Sequence, residues 1–105
     1  MDRVWQTLGR PGVEIAYLYR DEARREMTCL LRLTPGASLP HHRHADCEEI
    51  FMLEGDLECD GQVFQAGDYL RSAPHTDHMP SSCQGCVAYV RTSPDNEFLP
   101  GLALH

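Results

Sequence analysis

Residues 35–55 read PGASLPHHRHADCEEIFMLEG and hold three of the six histidines of the chain together with three glutamates. His42 and His44 are separated by one residue, so on an extended strand they project from the same face. Glu48 follows after a short turn and opens an apolar run that ends at Gly55. Two imidazoles and a carboxylate on adjoining strands supply most of the ligands of a metal site.

The length and charge of the chain limit its class. Its 105 residues suit one domain, and its net charge of -7, with nine arginines and no lysine, disfavours nucleic acid and anionic membranes as partners. No apolar stretch approaches membrane-spanning length, and the start, MDRVWQTLGR, lacks the apolar core of a signal peptide. We therefore expect a cytoplasmic protein.

The five cysteines are an odd number, so we expect thiols and not a disulfide framework. Cys83 and Cys86 have the spacing of a redox motif, but they lie in a turn where nothing stabilises a thiolate. A pair of hairpin thiols is the first interpretation and redox sensing the second. Cys47 directly precedes Glu48, which predicts an oxidation-sensitive thiol close to the metal.

Short β-rich runs recur with turn residues between them, and no stretch has a sustained helical period. Asp60-Gly61 is the strongest hairpin signal, because glycine accepts positive φ without cost. This pattern predicts a β-sandwich or barrel. The predicted strands are 13–20, 27–33, 39–44, 48–54, 57–59, 62–64, 69–72 and 86–91, with a loop at 73–77 and an irregular tail at 92–105.

The strand that begins at Glu48 has two different faces. Glu48, Ile50 and Met52 share one face, and the alternate residues, among them Phe51 and Leu53, share the other. If the first face lines a metal cavity, the second still carries large apolar side chains that need cover. A second copy of the chain could supply it, so we expect a homodimer.

Two spaced motifs make the sequence resemble a cupin. The first runs from Gly36 through His42, His44 and Glu48 to Gly55. The second runs from Gly67 to His78 with the same spacing, although Ala73 replaces its usual proline and His75 its usual glycine. The stretch from about residue 13 to 91 is similar to the small ChrR-like type, the cupin module of certain anti-sigma factors.

The resemblance implies an all-β double-stranded β-helix, a jelly-roll barrel over about 13–91 within a single domain, 1–105. It implies four ligands, His42, His44, Glu48 and His78, for one divalent metal. These ligand types suit Zn, Fe, Mn or Ni and leave coordination positions open.

Neighbouring polar residues have other predicted roles. His41 should point away from His42, and Glu49 should face outward in a salt link. His75, in the loop before His78, is a candidate catalytic residue that could move a proton at the cavity mouth. Arg32 and Arg71 either line the pocket as carboxylate anchors or face water.

Two functions remain open at this point. The first is a dioxygenase-like enzyme, in which Fe(II) binds a small organic substrate beside an apolar wall of Ile50, Met52 and Tyr69. The second is a zinc-binding sensor module without catalysis, as the ChrR-like resemblance implies. Sigma-factor binding is disfavoured, because the separate helical domain that performs it is not expected here. A metal-free epimerase-like cupin fits poorly with the complete ligand set.

Overall fold

The computed structural model describes residues 3–98, which form ten strands and no helix. No helix that could cross a membrane is found in this part of the chain. The strands are β1 (Gln6–Thr7), β2 (Val13–Asp21), β3 (Glu26–Leu33), β4 (His42–Arg43), β5 (Glu48–Cys59), β6 (Gln62–Gln65), β7 (Tyr69–Ser72), β8 (Asp77–His78), β9 (Cys86–Thr92) and β10 (Glu97–Phe98).

The strands form two antiparallel sheets. The larger has seven strands in the order β1-β2-β3-β9-β5-β6, with β7 paired to the first part of β5. The smaller has the order β10-β4-β8 and carries two of the predicted ligands. This all-β jelly-roll architecture confirms the predicted fold.

Alternating side chains of the larger sheet build the core. Ile50 and Met52 are 1% exposed, whereas Phe51 and Leu53 on the opposite face are 42% and 45% exposed. Inward-facing side chains of β2, β3 and β9 pack against them, including Ile15, Leu31, Ala88 and Val90. The two predicted faces of β5 are therefore confirmed.

Several predicted boundaries differ from the structure. The predicted strand 39–44 is reduced to β4, because Pro40 and Pro80 lack the N–H groups that a continuous ladder would need. Asp77 belongs to β8 and not to the loop, since it pairs with Arg43. In the predicted irregular tail, β9 extends to Thr92 and β10 pairs with β4; residues 99–105 lie outside the described range.

Gly55 lies inside β5, where the sequence predicted a break between two strands. Its φ is +77°, and the register of β5 against β9 shifts between Met52 and Glu54. This bulge bends the strand without ending it. A β-carbon on Gly55 would lie 1.9 Å from the carbonyl oxygen of Gly85, so the backbone approach excludes any side chain.

The outer face of the larger sheet carries a row of apolar residues. They are neighbours in the register of five successive strands, β2, β3, β9, β5 and β7, and the row consists of Ala16, Leu30, Tyr89, Phe51 and Tyr69. Tyr69 is 51% exposed and donates a hydrogen bond to Glu49 Oε2. Its predicted place on the cavity wall is therefore wrong, because its alternation puts it on the outer face.

Candidate metal centre

Three short pieces of chain bring the four predicted ligands together. His42 in β4 lies directly opposite His78 in β8, and His44 is the residue directly after β4. Glu48 is the first residue of β5. All four side chains are buried, and we call them the His/Glu cluster: His42, His44, Glu48 and His78.

The donor atoms of the His/Glu cluster converge. Nε2 of His78 lies 2.9 Å from Nε2 of His44 and 3.0 Å from Nε2 of His42. Oε1 of Glu48 lies 3.3 Å from His44 Nε2 and 3.7 Å from His78 Nε2. Ligand atoms about 2.1 Å from one ion and at right angles to each other would lie about 3.0 Å apart. The spacing therefore fits four ligands of a single cation.

Contacts on the far side of each ring aim the lone pairs inward. Nδ1 of His42 donates to the carbonyl oxygen of Pro40 at 2.8 Å, which leaves the Nε2 lone pair for a metal. The Thr76 hydroxyl donates to the Ala73 carbonyl, so it can accept from Nδ1 of His44, 3.2 Å away. Such outer partners fix the orientation of metal-bound imidazoles.

Glu48 is held by a chain of polar groups. Thr92 Oγ1 donates to Glu48 Oε2 at 2.9 Å, and Asn96 Nδ2 donates to Thr92 Oγ1 at 2.8 Å. Burial alone would raise the pKa of Glu48, but contact with His44 and the charge of the three histidines when protonated lower it. The pKa of Glu48 is therefore lowered while the histidines carry protons, and the hydrogen bond from Thr92 also favours the carboxylate form that binds metals.

Two of the three histidines have a lowered pKa, which favours the neutral form that binds metals. Burial lowers the pKa of His78 to about 4 and also lowers the pKa of His42. Three imidazoles and one carboxylate suit zinc, iron, manganese or nickel and leave room for further ligands. The cluster can hold a metal ion, and its chemistry does not select one.

The pKa of His78 predicts a pH-dependent stability of the chelator-treated protein. Between pH 6.5 and about 4 the unfolded chain binds a proton at His78 and the folded chain does not, so stability falls as the pH falls. The expected loss is up to about 3 kcal/mol, measured by urea unfolding at several pH values. His78→Gln should make the profile shallower, because the lowered pKa of His42 still contributes, and a flat profile for the original protein would contradict the prediction.

His75 does not join the His/Glu cluster. Its side chain is exposed, and its backbone adopts φ of +68°, as expected at a position where the cupin motif usually has glycine. Its amide donates to the carbonyl oxygen of His44 at 2.8 Å, so the residue helps to shape the loop around the cluster. A catalytic role for its imidazole stays a prediction.

The other polar residues lie outside the centre. His41 contacts Asp77 Oδ2 at 3.0 Å and Glu49 pairs with Arg91 at 2.9 Å, as predicted. Arg32 pairs with Glu14 and lies over the ring of Trp5, so it is not a pocket anchor.

All five cysteines are free thiols, as predicted. The thiol that lies beside the centre is that of Cys59 and not, as predicted, that of Cys47. Cys47 lies on the outer face, because it directly precedes the inward-facing Glu48. There its sulfur accepts a hydrogen bond from Arg71 Nε. Its predicted place near the metal is wrong, and Arg71 is not a pocket anchor. Cys59, 4% exposed, lies with Sγ 2.9 Å from Nδ1 of His78.

We expect Cys59 to position His78. When Nε2 of His78 binds a metal, Nδ1 carries the proton and the sulfur accepts it in a hydrogen bond. Cys59→Ala should therefore weaken metal binding by about 10–100-fold, whereas Cys59→Ser should retain most of the affinity. Metal dissociation constants from chelator competition would measure both, with the exposed Cys83→Ala as the control. Equal affinities in the alanine and serine variants would contradict this role.

The fold and the His/Glu cluster together define a cupin with a candidate metal centre. The sequence profile described as "ChrR Cupin-like domain" matches residues 1–95. The chain therefore belongs to the ChrR cupin-like family. No curated protein matches it significantly in sequence.

Solved structures of other proteins share this fold. The anti-sigma protein ChrR of Rhodobacter sphaeroides, solved in complex with SigE, is 28% identical; the match covers 88% of this chain and 49% of ChrR, with a TM-score of 0.77. An RmlC-like cupin of Ralstonia eutropha is 21% identical, covering 95% and 69% of the two chains, with a TM-score of 0.82. An acetylacetone dioxygenase of Acinetobacter johnsonii is 17% identical, covering 92% and 72%, with a TM-score of 0.84.

Proposed function

We propose that this protein binds one divalent metal through the His/Glu cluster and uses it in a dioxygenase-like reaction on a small organic molecule. The observation that carries this proposal is the position of the cluster at the wall of a half-open cavity of about 190 Å³. His42 and Glu48 line that cavity, so a molecule inside it would lie beside the metal. A metal held only for stability would need no such access.

The residues around the cavity suit this chemistry. Iron(II) bound to the cluster would supply Lewis acidity and an accessible redox change. Ile50 and Leu31 give the cavity an apolar wall, and the hydrogen bonds from Asn96 through Thr92 hold Glu48 in place. The neutral imidazoles leave the carboxylate as the only anionic protein ligand, so a substrate can contribute further donor atoms.

A zinc-binding sensor is the second candidate function. It is supported by membership of the ChrR cupin-like family and by the similarity to ChrR, whose structure was solved with SigE. In this proposal a ligand in the cavity changes the centre, and no reaction follows. Zinc in the cluster would favour it, because zinc has no accessible redox change.

Metal analysis of protein purified without added metal separates the two. Stoichiometric iron, with oxygen uptake when β-diketones or thiols are added, is the result expected for the enzyme. Stoichiometric zinc without oxygen uptake would favour the sensor. A protein that retains no metal after purification and binds none on addition would contradict both proposals.

We also propose a homodimer that works in the cytoplasm. The apolar row on the outer face, with Phe51 and Tyr69 about half exposed, gives a second copy a surface to cover. The odd number of free thiols supports a reducing compartment. Light scattering would test the dimer, and a monomeric mass at every protein concentration would reject it.

A further inference from the structure

The cavity beside the His/Glu cluster has an almost entirely apolar wall. Apart from His42 and Glu48 at one end, its lining is mostly aliphatic, with Leu8, Ile15, Met27, Leu31, Ile50 and Val90 as its main members. Its volume of about 190 Å³ corresponds to the share of roughly six water molecules in the liquid. A ligand of several carbon atoms therefore fits within the cavity, and a larger one would extend beyond its open side.

No cationic side chain faces this space. The chain has no lysine, and none of the nine arginines, all within residues 3–98, lines the cavity. Arg25, Arg71 and Arg91 lie in a separate cleft together with Cys47. Arg91 there is already paired with Glu26 and Glu49. An anionic group in the cavity would find no protein cation to neutralise it.

Three polar residues at the cavity wall, Asn96, Thr92 and Ser93, already have hydrogen-bond partners. Asn96 accepts from the backbone amide of Ala45 and donates to Thr92, which donates to Glu48. Ser93 Oγ accepts from the amide of Asp95. Burial raises the pKa of Cys29 to about 12, so its thiol is uncharged. The wall offers a ligand few hydrogen bonds away from the metal end.

These features determine which molecules the cavity can accept. Moving a carboxylate out of water without a partner costs several kcal/mol, and the nearby Glu48 carboxylate adds repulsion. Hydroxyl groups spread over a ligand would lose their hydrogen bonds to water. Only polar atoms that bind the metal would regain the free energy lost when they leave water.

We propose that the cavity selects small molecules that are uncharged in solution, with two oxygen donors at one end and an apolar remainder, such as short β-diketones. Carboxylates, phosphates and sugars are rejected. This inference rests on the proposed metal-dependent function, because the two oxygens complete the coordination of the metal that the His/Glu cluster holds.

Two β-diketones of the same shape test the inference. They share the diketone end and differ at the other, which carries an isobutyl group in one and a carboxymethyl group in the other. Calorimetric titration of the zinc-loaded protein should give at least about tenfold weaker binding for the carboxymethyl compound, about 1.4 kcal/mol. The affinity of each compound for free zinc is measured in parallel, and the affinity for the protein is divided by it. Zinc is used because it has no accessible redox change and so prevents turnover.

A cation placed in the cavity provides the matched control. Met27, half-buried in the wall, is a site for Met27→Arg, which should narrow or reverse the preference, whereas Met27→Leu should preserve it. Equal or tighter binding of the carboxymethyl compound to the original protein would overturn the selectivity and leave the metal-dependent function standing. Failure of the metal-loaded protein to bind either compound would overturn both.

Discussion

Replacing His42 and His44 together by alanine should leave a folded barrel that no longer retains a divalent metal. Loss of one outer partner of a ligand costs about 10–100-fold in metal affinity, so loss of two ligands should cost more than about 1,000-fold. The barrel should persist, because neither ring belongs to the aliphatic core of the larger sheet. Metal content by elemental analysis and far-ultraviolet circular dichroism measure the two properties.

The matched control for this variant is His41→Ala with His75→Ala. It also removes two imidazoles from the same region, but both are outside the His/Glu cluster. This control should retain its metal. A His42→Ala, His44→Ala protein with a full complement of metal would show that the cluster is not the binding site.

Gly55→Ala should destabilise the barrel by more than about 3 kcal/mol. The new β-carbon would lie 1.9 Å from the carbonyl oxygen of Gly85 and 2.8 Å from Cα of Cys86, both backbone atoms that cannot move aside alone. The positive φ adds about 1 kcal/mol for any residue with a β-carbon. Urea unfolding would measure the loss.

Gly36→Ala separates the two causes. Gly36 also has a positive φ, +82°, but no atom lies within 4 Å of the position that its β-carbon would take, so only the conformational cost of about 1 kcal/mol applies. Similar losses of stability in the two variants would show that the close approach of β5 to Gly85 is not what requires glycine at position 55.

Three residues of the His/Glu cluster could be predicted because the pattern that indicates them is local. His42 and His44 share a face by simple alternation, and Glu48 opens the apolar run that follows; its choice over Glu49 rests on the glycine spacing of the cupin motif that the sequence resembles. His78 required the resemblance, because its cross-strand partner His42 is 36 residues away along the chain. No local pattern specifies a pairing of such short strands.

Cys59 could not be predicted from alternation. Side chains of a regular strand alternate between its two faces, so an inward-facing Glu48 would place Cys59, an odd number of residues later, on the outer face. The extra residue in the bulge near Gly55 reverses the alternation, and Cys59 turns inward to His78. In the sequence, Gly55 indicated a turn between two strands, whereas in the structure the backbone bends there within the single strand β5. A shift of one residue thus hid the thiol that contacts the centre.

The bend of β5 has a mechanical consequence. Glu48 at its first residue and Cys59 at its last both contact His78, so these contacts close residues 48–59 into a ring. The exposed hairpin tip at Asp60 and Gly61 adjoins that ring. A pull on the tip would therefore reach His78, a predicted metal ligand, through one side-chain contact, along a path that bypasses the cavity.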